Sequence, residues 1–201
     1  PPVLEILRPG EKKDPADRSA QGGSRRAPGR AAEAHLAELA AGKVVVFTDG
    51  SSIGNPGPGG YGVVMLFGEV RKELSAGFRC TTNNRMELLA CIVALRELNR
   101  STPVVIYSDS RYVVNAVQKG WARRWQKNGW MRAAGEQGQA SRAENVDLWE
   151  QMLDLLDRYP AEFHWVRGHT AHPENERCDH LAVQAARGRS LPPDPGYRGR
   201  C

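Results

Sequence analysis

Three runs rich in β-branched and aromatic residues follow one another between residues 43 and 80, after which helical and strand patterns alternate to the end of the regular sequence. That succession constrains the fold more than any other feature. Residues 43–48, 60–67 and 70–80 are each bounded by Gly or Pro breaks and read as three successive hairpin-like strands. Residues 84–99 read as a helix with Met86, Leu89, Ala90, Val93 and Ala94 on one face and Leu88, Ile92 and Leu95 on another. A helix apolar on two faces is buried. The run Val104-Val105-Ile106-Tyr107 suits a central strand in a sheet flanked by helices. Further helices are expected over 109–119 and 145–158 and a last strand over 162–166, and Pro173 opens a final helix whose stripe is Cys178, Leu181, Ala182, Ala185 and Ala186.

The ends differ in kind. Residues 1–30 are rich in Pro, Gly, Ser, Arg and Asp, and no Phe, Tyr or Trp precedes Phe47, so the stretch up to 42 buries too little apolar surface to offset its ordering entropy. It is expected to be a disordered linker holding a short helix over 31–41. Residues 188–201, with Pro192, Pro193 and Pro195, are expected to form a loose tail. Cys80, Cys91, Cys178 and Cys201 show no C-x-x-C pairing and no histidines at zinc spacing, which argues against a disulfide framework or a structural zinc. Together with the lack of eighteen consecutive apolar residues, this predicts a reduced, soluble, cytoplasmic protein with no membrane partner.

Four acids stand where chemistry would be expected. Asp49 follows the apolar run Val44-Val45-Val46-Phe47, Asp109 follows the central strand, Glu87 lies on the buried helix and Asp179 on the last one. Each also has a local reading. Asp49-Gly50 is a common hairpin turn, Asp109 an N-cap, Asn84-x-x-Glu87 a capping box, and Asp179 a solvated position. Glu87, however, sits among Met86, Leu88 and Leu89, where an ionised carboxylate costs several kcal/mol unless something compensates it. If the strands leading to Asp49 and Asp109 are neighbours, the acids meet at one edge and require divalent ions, for which Mg²⁺ is the best match to all-oxygen ligands.

At this point the residues match a family. Phe47-Thr48-Asp49-Gly50-Ser51, Gly54-Asn55-Pro56-Gly57, the run from Thr81 through Asn84-Arg85-Met86-Glu87 to Leu88, Ser108-Asp109-Ser110, Asn145-Val146-Asp147-Leu148-Trp149, Trp165-Val166-Arg167-Gly168-His169 and Pro173-Glu174-Asn175-Glu176-Arg177-Cys178-Asp179 resemble, in order, bacterial type 1 ribonuclease H. The resemblance implies an α/β fold with a mixed five-stranded sheet and helices on both faces, and a catalytic domain over 43–187. It implies hydrolysis of the RNA strand of an RNA-DNA hybrid, with Asp49, Glu87, Asp109 and Asp179 as ligands of two Mg²⁺ ions, for which Mn²⁺ substitutes. His169, in a loop after a strand, would act near the attacking water or in product release, a role its ordinary pKa near neutrality suits.

Substrate contacts follow two patterns. Residues 119–142 carry six basic side chains against the single acid Glu136, with Trp121, Trp125 and Trp130 among them. Trp121, Arg123, Arg124, Trp125 and Lys127 are expected to grip the DNA strand as a basic protrusion, whereas Trp130 is expected to be structural. Thr81, Thr82 and Asn83 at a helix start are expected to hold a DNA phosphate, and Asn55, Asn84 and Arg85 to contact the groove. Arg111 stands where relatives of that family often carry glutamine and would add charge near the cleft. The stretch between Trp130 and Asn145 is several residues longer than in close relatives. The expected partner is an RNA-DNA hybrid, met by a monomer. The rival readings are another nuclease or transposase of the same superfamily and a module that binds hybrids without cutting them.

Overall fold

A computed structural model describes residues 30–98, 102–132, 140–168 and 172–201. The order is α1 (Arg30–Ala40), β1 (Val44–Ser52), β2 (Gly57–Phe67), β3 (Val70–Thr81), α2 (Asn83–Arg96), β4 (Val104–Ser108), α3 (Arg111–Gln118), α4 (Trp121–Lys127), β5 (Met131–Arg132), β6 (Ser141–Arg142), α5 (Val146–Arg158), β7 (Ala161–Trp165) and α6 (Pro173–Ala186). Five strands form one sheet in the order β3-β2-β1-β4-β7. The pairs β3-β2 and β2-β1 are antiparallel, as hairpins require, and β1-β4 and β4-β7 are parallel because helices cross over between them. The mixed sheet with helices on both faces is therefore present as expected.

The unbroken apolar runs of β1 and β4 follow from burial on both sides. Val44, Val46, Val104 and Ile106 face a core built with α2, α3 and α5, while Val45, Phe47, Val105 and Tyr107 face a smaller core with Cys178 and Leu181 of α6 and Leu39 of α1. Helix α2 lies between the sheet and α5, which accounts for its two apolar faces. Two glycines set the close approaches. A Cβ at Gly50 would lie 2.2 Å from the backbone nitrogen of Glu87, and one at Gly62 would lie 2.1 Å from the carbonyl oxygen of Cys178. Only glycine lets α2 and α6 seat directly on the strands.

Two expectations fail. The C-terminal segment is not loose: Pro192 accepts a hydrogen bond from the backbone N–H of Arg79 (2.9 Å) on edge strand β3, and Asp194 is buried, 7% exposed. The cysteines are not all reduced either, since Cys80 of β3 and Cys201 form a disulfide across 121 residues. The proline-rich segment cannot extend a helix, but it can lie along a sheet edge that would otherwise present unpaired backbone. Cys91 and Cys178 are free and buried. Among the described residues, no helix is long and apolar enough to cross a membrane.

Candidate active site

Asp49 does not end its strand. It lies within β1, opposite Gly62 of β2, and the strand runs on to Ser52, so the hairpin-turn reading is excluded. The ladder continues through Asp49, Gly50, Ser51 and Ser52 opposite Gly62, Tyr61, Gly60 and Gly59 of β2. The parallel ladder of β1 and β4 ends at Thr48 opposite Ser108, which brings Asp49 and Asp109 out side by side. Asp109 is not the helix cap, because Ser110 takes that place and its hydroxyl accepts from the Val113 N–H (3.3 Å). Asp179 follows Cys178, whose backbone lies against Gly62, so α6 carries it to the same face.

Glu87 arrives from the other side, on the first turns of α2. It is not part of a capping box, for the N-cap is Thr82 and makes no side-chain cap bond. Instead, the Asn83 amide donates to one Glu87 oxygen (2.9 Å) and the Ser110 hydroxyl to the other (2.5 Å). Asp49 accepts the Gly50 backbone N–H (2.7 Å). None of these donors carries a charge.

The electrostatic consequence is strong. Burial, and then the charge of Asp109, push the Asp49 carboxyl up to about 8, against the opposing Gly50 hydrogen bond; Asp179 and Glu87 add to the rise. Glu87 is pushed up to about 7 by burial and by Asp109, although Ser110 and Asn83 pull it down. The other three acids thus act on Asp49 at once. Among the described residues, no group of three or more His, Cys, Asp or Glu side chains is arranged to hold a metal ion as it stands. The fit to a divalent cation is one of chemistry: part-buried carboxylate oxygens that repel one another.

The expected substrate residues divide. Asn55 is exposed and its side-chain oxygen accepts the Asn83 backbone N–H (3.2 Å), which gathers Asn55, Thr82, Asn83 and Asn84 around the start of α2. Thr81 and Arg85 are corrections. The Thr81 hydroxyl is fully buried and donates to Asp194 (2.7 Å), and Arg85 is 3% exposed with its guanidinium held by Asp194 (2.7 and 3.0 Å) and Asp147 (2.9 and 2.8 Å). A buried arginine chelated by two carboxylates does not face a groove. Trp125 is half-buried and packs edge-on against Trp149 at 6.0 Å, and Trp130 is also half-buried against the core. Trp121, Arg124 and Lys127 remain on the exposed side of α4, with Lys119 over the Trp121 ring at 5.0 Å. Arg123 pairs with Asp157 of α5 at the surface, an attachment worth little in water. His169 and residues 133–139 lie outside the described residues.

Sequence reasoning passed over Ser110, which both caps α3 and bonds Glu87, though a Ser directly before a helix is itself a cap signal. It also passed over Asp194, for which a proline-rich tail offered no signal.

A mixed five-stranded α/β sheet with carboxylates gathered beside its central parallel strands defines a class of protein suited to cation-assisted chemistry on phosphates. Residues 41–187 match the profile of the RNase H family. A ribonuclease H of Syntrophus aciditrophicus is 56% identical over 155 residues, covering 77% of this chain and 87% of that protein. The crystal structure of LC9-RNase H1, a type 1 RNase H with the type 2 active-site motif, matches with a TM-score of 0.63 and 35% identity, covering 73% of each chain. LC11-RNase H1, solved in complex with an RNA/DNA hybrid, matches with a TM-score of 0.55 and 25% identity over 72% of this chain and 96% of that one. The chain belongs to the RNase H family.

Proposed function

We propose that the chain cleaves the RNA strand of RNA-DNA hybrids as an endoribonuclease, with Asp49, Glu87, Asp109 and Asp179 holding two Mg²⁺ ions, or Mn²⁺ in their place. The observation that carries this reading is the convergence of three other acids on a buried Asp49, whose carboxyl is pushed up to about 8. Such a cluster is unfavourable alone and becomes favourable around divalent cations. When bound, the ions supply an activated water nucleophile and neutralise charge on the leaving 3′ oxygen, giving 5′-phosphate and 3′-hydroxyl products.

The chain's own residues hold the geometry. The Gly50 N–H fixes the Asp49 carboxylate, while Ser110 and Asn83 fix both oxygens of Glu87. The Thr82 hydroxyl and the positive N-terminal end of α2, where Asn83 holds Asn55, meet a phosphate of the DNA strand. Asn55 and Asn84 reach into the groove, and Trp121, Arg124 and Lys127 meet the DNA backbone as part of a basic protrusion. His169 moves a proton near the attacking water or on product release. We place this monomeric activity in the cytoplasm, where hybrids arise.

The test is cleavage of matched RNA-DNA, RNA-RNA and DNA-DNA duplexes with Mg²⁺ or Mn²⁺. Only the RNA of the hybrid should be cut. A protein that binds the hybrid and leaves its RNA intact would sink the enzyme reading in favour of a binding module, and equal cutting of duplex DNA would favour another nuclease of the same superfamily.

A further inference from the structure

Trp165 is the last residue of β7 and pairs in register with Ser108, so its side chain stands where Asp109 leaves β4. It is 41% exposed, one of few large apolar side chains left open to solvent. Two contacts explain why a tryptophan stays there. Its indole N–H donates to the backbone oxygen of Asp109 (3.0 Å). The face of its ring carries the guanidinium of Arg111, whose central carbon lies 4.5 Å from the ring centroid.

The two contacts act on different things. The Asp109 carbonyl lies beyond the last register pair of β4 and before the first residue of α3. The indole N–H holds it there and so restrains the orientation of the peptide that carries the Asp109 side chain. Val166 N–H bonds the preceding carbonyl, that of Ser108 (3.0 Å), so strand β7 grips both sides of the turn. The stack instead acts on Arg111, the first residue of α3. A long exposed arginine has many rotamers, and lying flat on an indole selects those that keep its charge at the end of β7. Glutamine in that place would have no charge for the ring to hold.

We propose that Trp165 is a positioning residue for the reaction: through its N–H it aims the Asp109 carboxylate, and through its ring it presents Arg111 to a phosphate of the substrate strand. This rests on the reading of Asp109 as an active-site carboxylate. The two arms are separable because phenylalanine keeps a ring and lacks the N–H, whereas leucine lacks both.

The experiment compares the parent, Trp165→Phe, Trp165→Leu, Arg111→Gln and the Trp165→Leu/Arg111→Gln double variant on one RNA-DNA hybrid, reading kcat, KM and the Mg²⁺ concentration for half-maximal rate. Trp165→Phe should lower kcat by about 5- to 30-fold and raise the Mg²⁺ requirement, with KM within about twofold of the parent. Trp165→Leu should add a KM increase of about 3- to 10-fold, equal to that of Arg111→Gln, and the double variant should show no further KM increase. A kcat for Trp165→Phe within about twofold of the parent, or KM effects of Trp165→Leu and Arg111→Gln that multiply, overturns the proposal. A purely structural role would lower the amount of folded protein without splitting kcat from KM. If thermal melting shows Trp165→Leu unfolded, the absence of a KM rise in Arg111→Gln overturns the ring arm by itself. A parent that fails to cut the hybrid removes the functional reading instead, which no variant result can mimic.

Discussion

Two part-buried charge clusters meet on one helical turn and are built in opposite ways. Arg85 of α2 is enclosed by the carboxylates of Asp147 and Asp194, which take its guanidinium in paired hydrogen bonds. Two residues on, Glu87 joins Asp49, Asp109 and Asp179, and the donors reaching Asp49 and Glu87 are a backbone N–H, an amide and a hydroxyl. In the first cluster burial opposes the charge of Asp194, but the hydrogen bonds of Arg85 and Thr81 outweigh it and hold the carboxyl below its ordinary range. In the second, burial and mutual repulsion drive two carboxyls up. The difference separates the tasks. Charge compensated within the chain ties α2 to α5 and to the C-terminal segment, while the mutual repulsion of the acids around Asp49 is what the proposed divalent cations would relieve.

The largest effect should come from the uncompensated cluster. Asp49→Asn is expected to lower hybrid cleavage more than about a thousandfold, roughly 4 kcal/mol of transition-state stabilisation, while hybrid binding persists. A cleavage assay beside a binding titration reads both, and loss of folding in this variant would assign Asp49 a structural part. The compensated cluster should respond in the opposite sense. Arg85→Ala leaves two carboxylates without their cation and should cost about 3–5 kcal/mol of stability in denaturant unfolding. At low temperature, where the variant is still folded, its cleavage should stay close to the parent's. If cleavage collapses in the folded variant, the two clusters are not separate in function.

Much of this contrast could be read in the sequence on one side only. The apolar runs of β1 and β4 and the two-faced pattern of α2 are local, so the five-stranded sheet and the helices packed on it are legible, whereas α4 and the β5-β6 pair inside the basic segment are not. Asp49 reads as a strand end because Asp49-Gly50 resembles a turn, whereas the ladder that continues past it is set by pairing with residues 59–62 of β2, which nothing local to Asp49 marks. Arg85 was assigned to the substrate because its partners lie 62 and 109 residues away, and nothing local marks Asp147 or Asp194 as its counter-ions. The C-terminal segment failed for the same reason: composition described its backbone as non-helical, but its order comes from a side chain on α2 and a cysteine on β3.

The clusters should also separate by pH. In the metal-free protein the raised carboxyls of Asp49, about 8, and Glu87, about 7, favour folding while protonated, a contribution full below the unfolded carboxylate range and lost as pH rises through 7 and 8. Asp194 works the other way, since its lowered pKa gives stability above the unfolded range that is lost as pH falls. Melting in EDTA should therefore show an alkaline decline on the order of 3 kcal/mol between pH 5.5 and 9, removed in part by Asp49→Asn and by added Mg²⁺. A flat curve across that range would mean that neither burial nor repulsion raises these carboxyls.

The smallest effect concerns how firmly the compensated cluster is held. The Cys80–Cys201 disulfide closes the segment carrying Asp194 onto β3, so Cys201→Ser should lose stability without touching any group near the acids. The expected cost is roughly 2 kcal/mol, the low end for a disulfide, because Asp194 still binds Arg85 and Thr81 when the bond is absent. A reductant should lower the melting temperature of the parent to that of Cys201→Ser and leave the variant unchanged. Since Arg85 and Glu87 share a turn, any loosening that reached the acids would appear as a change in kcat as well. Cleavage by the reduced parent at an unchanged rate is the result that keeps the two clusters independent, one serving stability and the other chemistry.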